Sequence, residues 1–279
     1  MAVAALKEAL RLLSRDPVLW TPGLVGGAIG AGLWILYNLT GTFFTSRLLV
    51  IFALVLLFFI AGMIQILRSG KKDLRSLLSG GMHSFFRVLL PQLVIVFTIM
   101  LILFAAMVPL TLAGVPSDPS AVSFIMTATA IPIVMLTFFF DVAAIFEDRR
   151  VFDSIARSIQ IVVNRSGQVA LFYLLSAGVF LGIIFSMMVL WEAFLYDRLQ
   201  PLLNYNETQI QAFTPDQLVA LIGPSGMWIT AGIIFITVTL LIPVLLSFKV
   251  CFFRSISGEV IPIQQVAGEY DSKGRWYKY

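Results

Sequence analysis

At 279 residues, 59% hydrophobic and 12% charged, with a net charge of +4, the chain has about half the charge of a water-soluble domain. That composition excludes a soluble globular fold, and the apolar runs lack the strict alternation that an outer-membrane β-barrel needs. The basic residues cluster at the ends of those runs, so the positive charge is no sign of nucleic-acid binding.

The N-terminal stretch places Leu6, Leu10 and Leu13 on one helical stripe, with Lys7, Glu8, Arg11 and Arg15 facing away. Asp16-Pro17 then offers a bend into the first apolar run, Val18–Tyr37. That run is too long for a secretory leader and has no small-x-small cleavage pattern, so it reads as a retained first membrane helix. It carries Gly23, Gly26, Gly27 and Gly30, whose four-residue spacings make a helix-packing face, either within the bundle or between two copies. The second run is Leu48–Ile66. A second amphipathic stretch follows, with Leu74, Leu77, Leu78, Met82, Phe85 and Phe86 on its stripe and a bend expected at Gly80-Gly81. The third and fourth runs are Val88–Ala113 and Ala121–Phe146. The latter contains Pro132 near its centre and Asp141 near its end. A third amphipathic stretch sets Phe152, Ile155, Ile159, Val162 and Val163 opposite Asp153, Ser154, Arg157 and Ser158. The fifth run is Val169–Trp191, and the long connection 192–226 is expected to hold short helices near Tyr196–Asn204 and Pro215–Ile222, the second capped by Thr214. The sixth, Met227–Ser247, contains Pro243 and leads to Lys249, Cys251 and a tail.

A bilayer core of about 30 Å takes about 20 helical residues, and all six runs are near or above that length. Of the 19 Lys and Arg residues, all but Arg47 and Arg198 fall on one side of the resulting topology, which places both termini in the cytoplasm of the cell membrane. The predicted fold is therefore all-α and polytopic: six transmembrane helices with amphipathic elbow helices lying in the interface. Three repetitions of elbow, membrane helix and return helix suggest a threefold helix-pair pseudo-repeat. A single transmembrane domain is expected over 1–254, with a cytoplasmic tail over 255–279.

The stretch Phe140–Leu174 pairs an apolar helix ending in Glu147-Asp148 with an amphipathic helix carrying Ser158 and a polar corner at Asn164. This pattern resembles prokaryotic six-helix membrane families similar to the membrane domain attached to some glycerophosphodiester phosphodiesterases. The resemblance covers about a third of the chain. It implies the helix layout and brings no functional residue, because the phosphodiesterase catalytic domain has no counterpart in these 279 residues.

Candidate chemistry is sparse. Asp141 and Lys249 sit at similar depths on the fourth and sixth helices and suggest an inter-helix ion pair, the alternative being that each reaches interfacial water by itself. Pro132 and Pro243 would interrupt those two helices, either as kinks of a transport path or as the functionless proline kinks common in membrane helices. Gly223-Pro224-Ser225-Gly226 matches a short serine-protease pattern, but the one histidine, His83, falls on the opposite side of the predicted topology. No metal, cofactor or catalytic motif is found, so no enzyme activity is expected. Three basic elbows on one leaflet, with no catalytic set, point to a non-catalytic membrane-organising or assembly component. Its expected partners are membrane lipids, with anionic lipid at the cytoplasmic face, and a membrane or cytoplasmic protein. Tail residues Ile261–Tyr279 offer one docking surface. The alternative is a permease or lipid-handling transporter with its site between helices four and six.

Overall fold

In lipid an apolar segment keeps its backbone groups paired only as a helix or in a closed barrel, and the computed structural model of this chain takes the first course. It describes residues 1–71, 73–112, 119–258, 268–270 and 276–278. The helices in chain order are α1 (Ala2–Arg15), α2 (Thr21–Thr40), α3 (Thr42–Ser69), α4 (Leu74–Leu112) and α5 (Pro119–Thr137), then α6 (Phe140–Phe146), α7 (Val151–Asn164), α8 (Ser166–Leu199), α9 (Glu207–Gln211) and α10 (Pro215–Ser257). Tight 3-10 turns at Pro17–Trp20 and Gln200–Asn204 link α1 to α2 and end α8. In the tail, strands β1 (Gly268–Tyr270) and β2 (Trp276–Lys278) pair antiparallel with Glu269 opposite Tyr277. The remainder of the docking surface expected at Ile261–Tyr279 lies outside the described residues.

Six helical stretches among the described residues are long and apolar enough to cross a membrane: Pro17–Thr40, Thr42–Ser69, Leu74–Val108, Val122–Phe146, Ser166–Leu202 and Asp216–Ser257. The protein is thus an all-α, multi-pass integral membrane protein. Two compact units form within it. One comprises Arg87–Leu171 and Phe252–Tyr279 together with Met1, and the other Ala2–Phe86 and Phe172–Cys251.

In the second of these units, close helix contact is made through glycine. A Cβ at Gly23 would fall 2.8 Å from Pro243 Cδ and still closer to the Thr239 carbonyl, and one at Gly27 would meet the Phe235 carbonyl and the Thr239 hydroxyl. Gly26 lies against Ile242, and Gly30 against Ile234. The same face of α2 accepts a hydrogen bond at Gly23 O from Thr239 Oγ1 at 3.3 Å, and Trp34 Nε1 donates to Met227 O at 3.2 Å. A second junction joins α3 to α4. There a Cβ at Gly62 would strike the Leu77 carbonyl, and one at Gly81 would come within 2.9 Å of the Phe58 ring. This explains one departure from expectation. Gly80-Gly81 makes no elbow, because α4 runs helically through the pair, and the missing side chains serve the approach to α3 instead of a bend.

The first elbow is present as α1, held by a bond of 3.0 Å from Trp20 Nε1 to Leu13 O. Its buried face differs from the leucine stripe: Ala2, Ala5, Ala9 and Leu13 are buried, and Leu10 is exposed. Alanine permits close backbone approach on that face. In the 192–226 connection the expected cap at Thr214 is formed as a reciprocal pair. Thr214 Oγ1 accepts from Gln217 N at 3.3 Å and Gln217 Oε1 accepts from Thr214 N at 2.9 Å. The predicted Tyr196–Asn204 helix is divided between the end of α8 and the 3-10 turn. Gly223, at φ 64°, then breaks α10 before Pro224, with Arg198 donating to the freed Ile222 carbonyl at 2.6 Å.

Candidate functional site

In the unit containing residues 87–171, three ion pairs among the described residues gather at one corner. It begins at an interruption in the fourth apolar run. Sequence places the interruption at Pro132, yet α5 continues helically through that residue, which lies on its exposed face, and stops at Thr137. The break is at Phe138-Phe139, and Ser158 of α7 accounts for it. Ser158 Oγ donates to Leu136 O and accepts from Phe139 N, both at 2.9 Å. One buried hydroxyl therefore serves a carbonyl and an amide at the point where the helix is interrupted. Non-helical backbone in an apolar region is tolerated where protein groups satisfy it in this way.

Beyond the break, α6 begins with buried Asp141, whose Oδ1 accepts from Val142 N at 2.8 Å; a carboxylate there is favoured by the helix dipole. α6 ends at a sharp turn in which Asp148 takes φ 51°, a left-handed conformation that aspartate tolerates better than most residues. Asp148 is ion-paired to Arg87 of α4. Its neighbour Glu147 accepts from Arg149 Nε at 3.0 Å and from Arg157 Nε at 3.0 Å. Arg157 is only 7% exposed, and its second guanidinium nitrogen donates to Ser257 O, in the last turn of α10, at 2.9 Å. A cation on a helix C-terminal carbonyl answers both an unpaired acceptor and the negative end of the dipole. Phe139 packs on Phe252 and Phe253 at ring distances of 5.9 and 6.4 Å, and Phe146 on Phe253 at 6.2 Å, giving the polar ties an apolar floor.

The orientation of α7 reverses the usual reading of an amphipathic helix. Ser154, Arg157, Ser158 and Ile161 are buried, while Phe152 is 72% exposed and Val163 is exposed. Three residues of the polar face, Ser154, Arg157 and Ser158, point into the protein while Asp153 stays exposed, because in a membrane the apolar face already has a solvent. The sequence pattern sets Ser154, Arg157 and Ser158 opposite the apolar stripe, on the polar face of an interfacial helix. The signal that would have found them is two serines and an arginine on one face, next to a span that ends in Glu-Asp.

Beside the corner is an apolar groove of about 320 Å³ between α4, α5 and α7, lined among others by Val94, Thr98, Leu136, Phe152, Ile155 and Ile159. The hydroxyls of Thr98 and Thr137 in its wall donate to their own helices, at Val94 O (2.8 Å) and Ile133 O (2.7 Å).

Of the other residues singled out from sequence, Lys249 is half-buried on α10 and belongs to the second unit, whereas Asp141 belongs to the first. Pro243 is likewise in the second unit, buried against Gly23 in an α10 that stays helical around it, while Pro132 is in the first. Among the described residues, no three His, Cys, Asp or Glu side chains gather as a metal site. Asp73 sits just before α4. Its carboxyl accepts from the Ser76 hydroxyl at 2.8 Å and the Ser76 amide at 3.0 Å, and these bonds hold it below the ordinary carboxylate value. Comparison of the chain with protein-family models, with curated proteins and with solved structures finds no match.

Proposed function

We propose that this chain is a non-catalytic membrane-organising or membrane-assembly component, with both termini in the cytoplasm and the corner 147–158 seated at the cytoplasmic leaflet of the cell membrane. The observation that carries this reading is how the charges of the corner are used. Glu147 is shared by two arginines, Asp148 is held by Arg87, and Arg157 is tied to the end of α10. Groups committed in this way fix a surface, whereas an acid, base or nucleophile has to be left poised for its reactant. The segment that builds the corner is also the one that resembles the membrane domain of the phosphodiesterase-linked families. The basic end favours an anionic leaflet at about 1 kcal/mol for each Lys or Arg near the surface.

The test is extraction in mild detergent after crosslinking in the native membrane, with stoichiometry measured by light scattering and mass spectrometry. A protein partner at fixed ratio is expected. A chain that purifies alone and drives solute flux in proteoliposomes would overturn the reading in favour of a permease or lipid-handling transporter. That second reading draws on the interrupted fourth span, since discontinuous helices build substrate sites in carriers.

A further inference from the structure

We propose that the groove between α4, α5 and α7 holds an acyl chain of an anionic phospholipid, with the headgroup at the arginine corner. This rests on the reading that the corner lies at the cytoplasmic leaflet. Three observations converge on the occupant.

The first is the chemistry of the walls. The groove is bounded by aliphatic and aromatic side chains, and the two threonine hydroxyls within it are spent on their own helices. Nothing there calls for a polar ligand, and water in so apolar a space has no partners to bond. An alkyl chain satisfies it.

The second is the orientation of α7. Because the polar face is turned inward by Ser158 and Arg157, the row Phe152, Ile155 and Ile159 forms one wall of an outward-opening groove. Its mouth residue Phe152 is largely exposed, so a lipid can reach the groove sideways from the bilayer.

The third is charge complementarity. On α4, Arg87 lies seven residues before Val94, on the same face and about 10 Å along the axis. Arg149 and Arg150 immediately precede α7, which carries Phe152. The corner holds Arg87, Arg149, Arg150 and Arg157 against Glu147, Asp148 and Asp153, leaving positive charge in excess. Arg150 is exposed and has no ion pair among the described residues. A lipid lying along the groove with its phosphate at this end meets that charge. A zwitterionic headgroup brings its own cation with its phosphate and so adds no net negative charge to offset the excess.

The experiment uses the full chain in phosphatidylcholine nanodiscs doped with phosphatidylglycerol bearing a diazirine on its acyl chain, and separately with the matching phosphatidylcholine probe. After photolysis, labelled residues are mapped by mass spectrometry. The phosphatidylglycerol probe is expected to label 94–98 and 152–159 several-fold more than the phosphatidylcholine probe. Both should label the exposed row Leu174, Leu181 and Phe185 of α8 equally. Excess unlabelled phosphatidylglycerol should remove the difference without any mutation. Arg150→Glu should lower the phosphatidylglycerol signal to the phosphatidylcholine level, and Ile159→Trp should reduce groove labelling by both probes. Equal labelling of the groove by the two probes, or groove labelling no stronger than at the α8 row, overturns the proposal and leaves a bulk lipid contact only. Either result is independent of whether a protein partner co-purifies, so failure of the lipid site and failure of the assembly reading are told apart.

Discussion

The α2–α10 contact and the α6–α7 corner hold helices together by opposite means. In the first, Gly23, Gly26, Gly27 and Gly30 bring two backbones close enough for van der Waals contact, with two long bonds added, from Thr239 to Gly23 O and from Trp34 to Met227 O. In the second, Arg157 and Ser158 reach across to carbonyls, an amide and a carboxylate at 2.9–3.0 Å. The difference teaches where lipid leaves a driving force. Apolar burial gains little when the alternative neighbour is an acyl chain, so packing relies on shape in one place and on polar satisfaction in the other.

That contrast can be broken from either side. The largest effect is expected for Arg157→Ala, which takes from Glu147 the more buried of its two arginine partners and from the last turn of α10 its cation. Removing one partner of a buried charge pair costs about 3–5 kcal/mol, read as a lowered midpoint in SDS or thermal unfolding in detergent micelles. Gly27→Leu should follow. Overpacking a tight contact costs about 1–3 kcal/mol, and Gly32→Leu should be far milder, since nothing lies within 4 Å of a Cβ there. Ser158→Ala leaves the Phe139 amide and the Leu136 carbonyl without their partner, for about 1–3 kcal/mol; Ser158→Thr, which keeps the hydroxyl, should recover part of it. The smallest effect belongs to Asp73. Its folded carboxyl titrates below its ordinary value of 3.8 because of the bonds from Ser76. The cap is therefore fully present above the ordinary carboxylate value and is lost as pH falls through the depressed one. Far-ultraviolet circular dichroism at acid pH should show slightly earlier loss of helix in the wild type than near neutrality, and Asp73→Ala should abolish that small pH dependence.

Much of the fold was legible in the primary structure because lipid imposes a length. Six apolar runs of about 20 residues or more name the six spans, and the Gly23–Gly30 spacing marks a packing face whatever its partner. Thr214 with Gln217 three residues on is a capping signature that the structure forms in both directions. What escaped was anything decided by competition between side chain and backbone. Pro132 looked like the weak point of the fourth span, but losing one hydrogen bond did not break the helix; a serine nineteen residues beyond Phe139 in the chain satisfies the true break. Gly80-Gly81 looked like a hinge because glycine is permissive, yet it serves as a surface for Phe58 and Gln65. The periodicity of α7 was plain, but its direction was not: a hydrophobic stripe says that two faces differ, and only the surrounding solvent decides which one turns inward.

The most direct test is therefore a nitroxide scan of residues 151–164, one cysteine at a time on a Cys251→Ser background, in proteoliposomes. Collision with oxygen, which partitions into lipid, should be high at 152, 156 and 163 and low at 154, 157, 158 and 161, with positions 154 and 158 also shielded from a water-soluble nickel reagent. The opposite phase, with 154, 157 and 158 open to the nickel reagent and 152, 155 and 159 closed to both, would mean that α7 buries its apolar stripe and that the corner is not built as described.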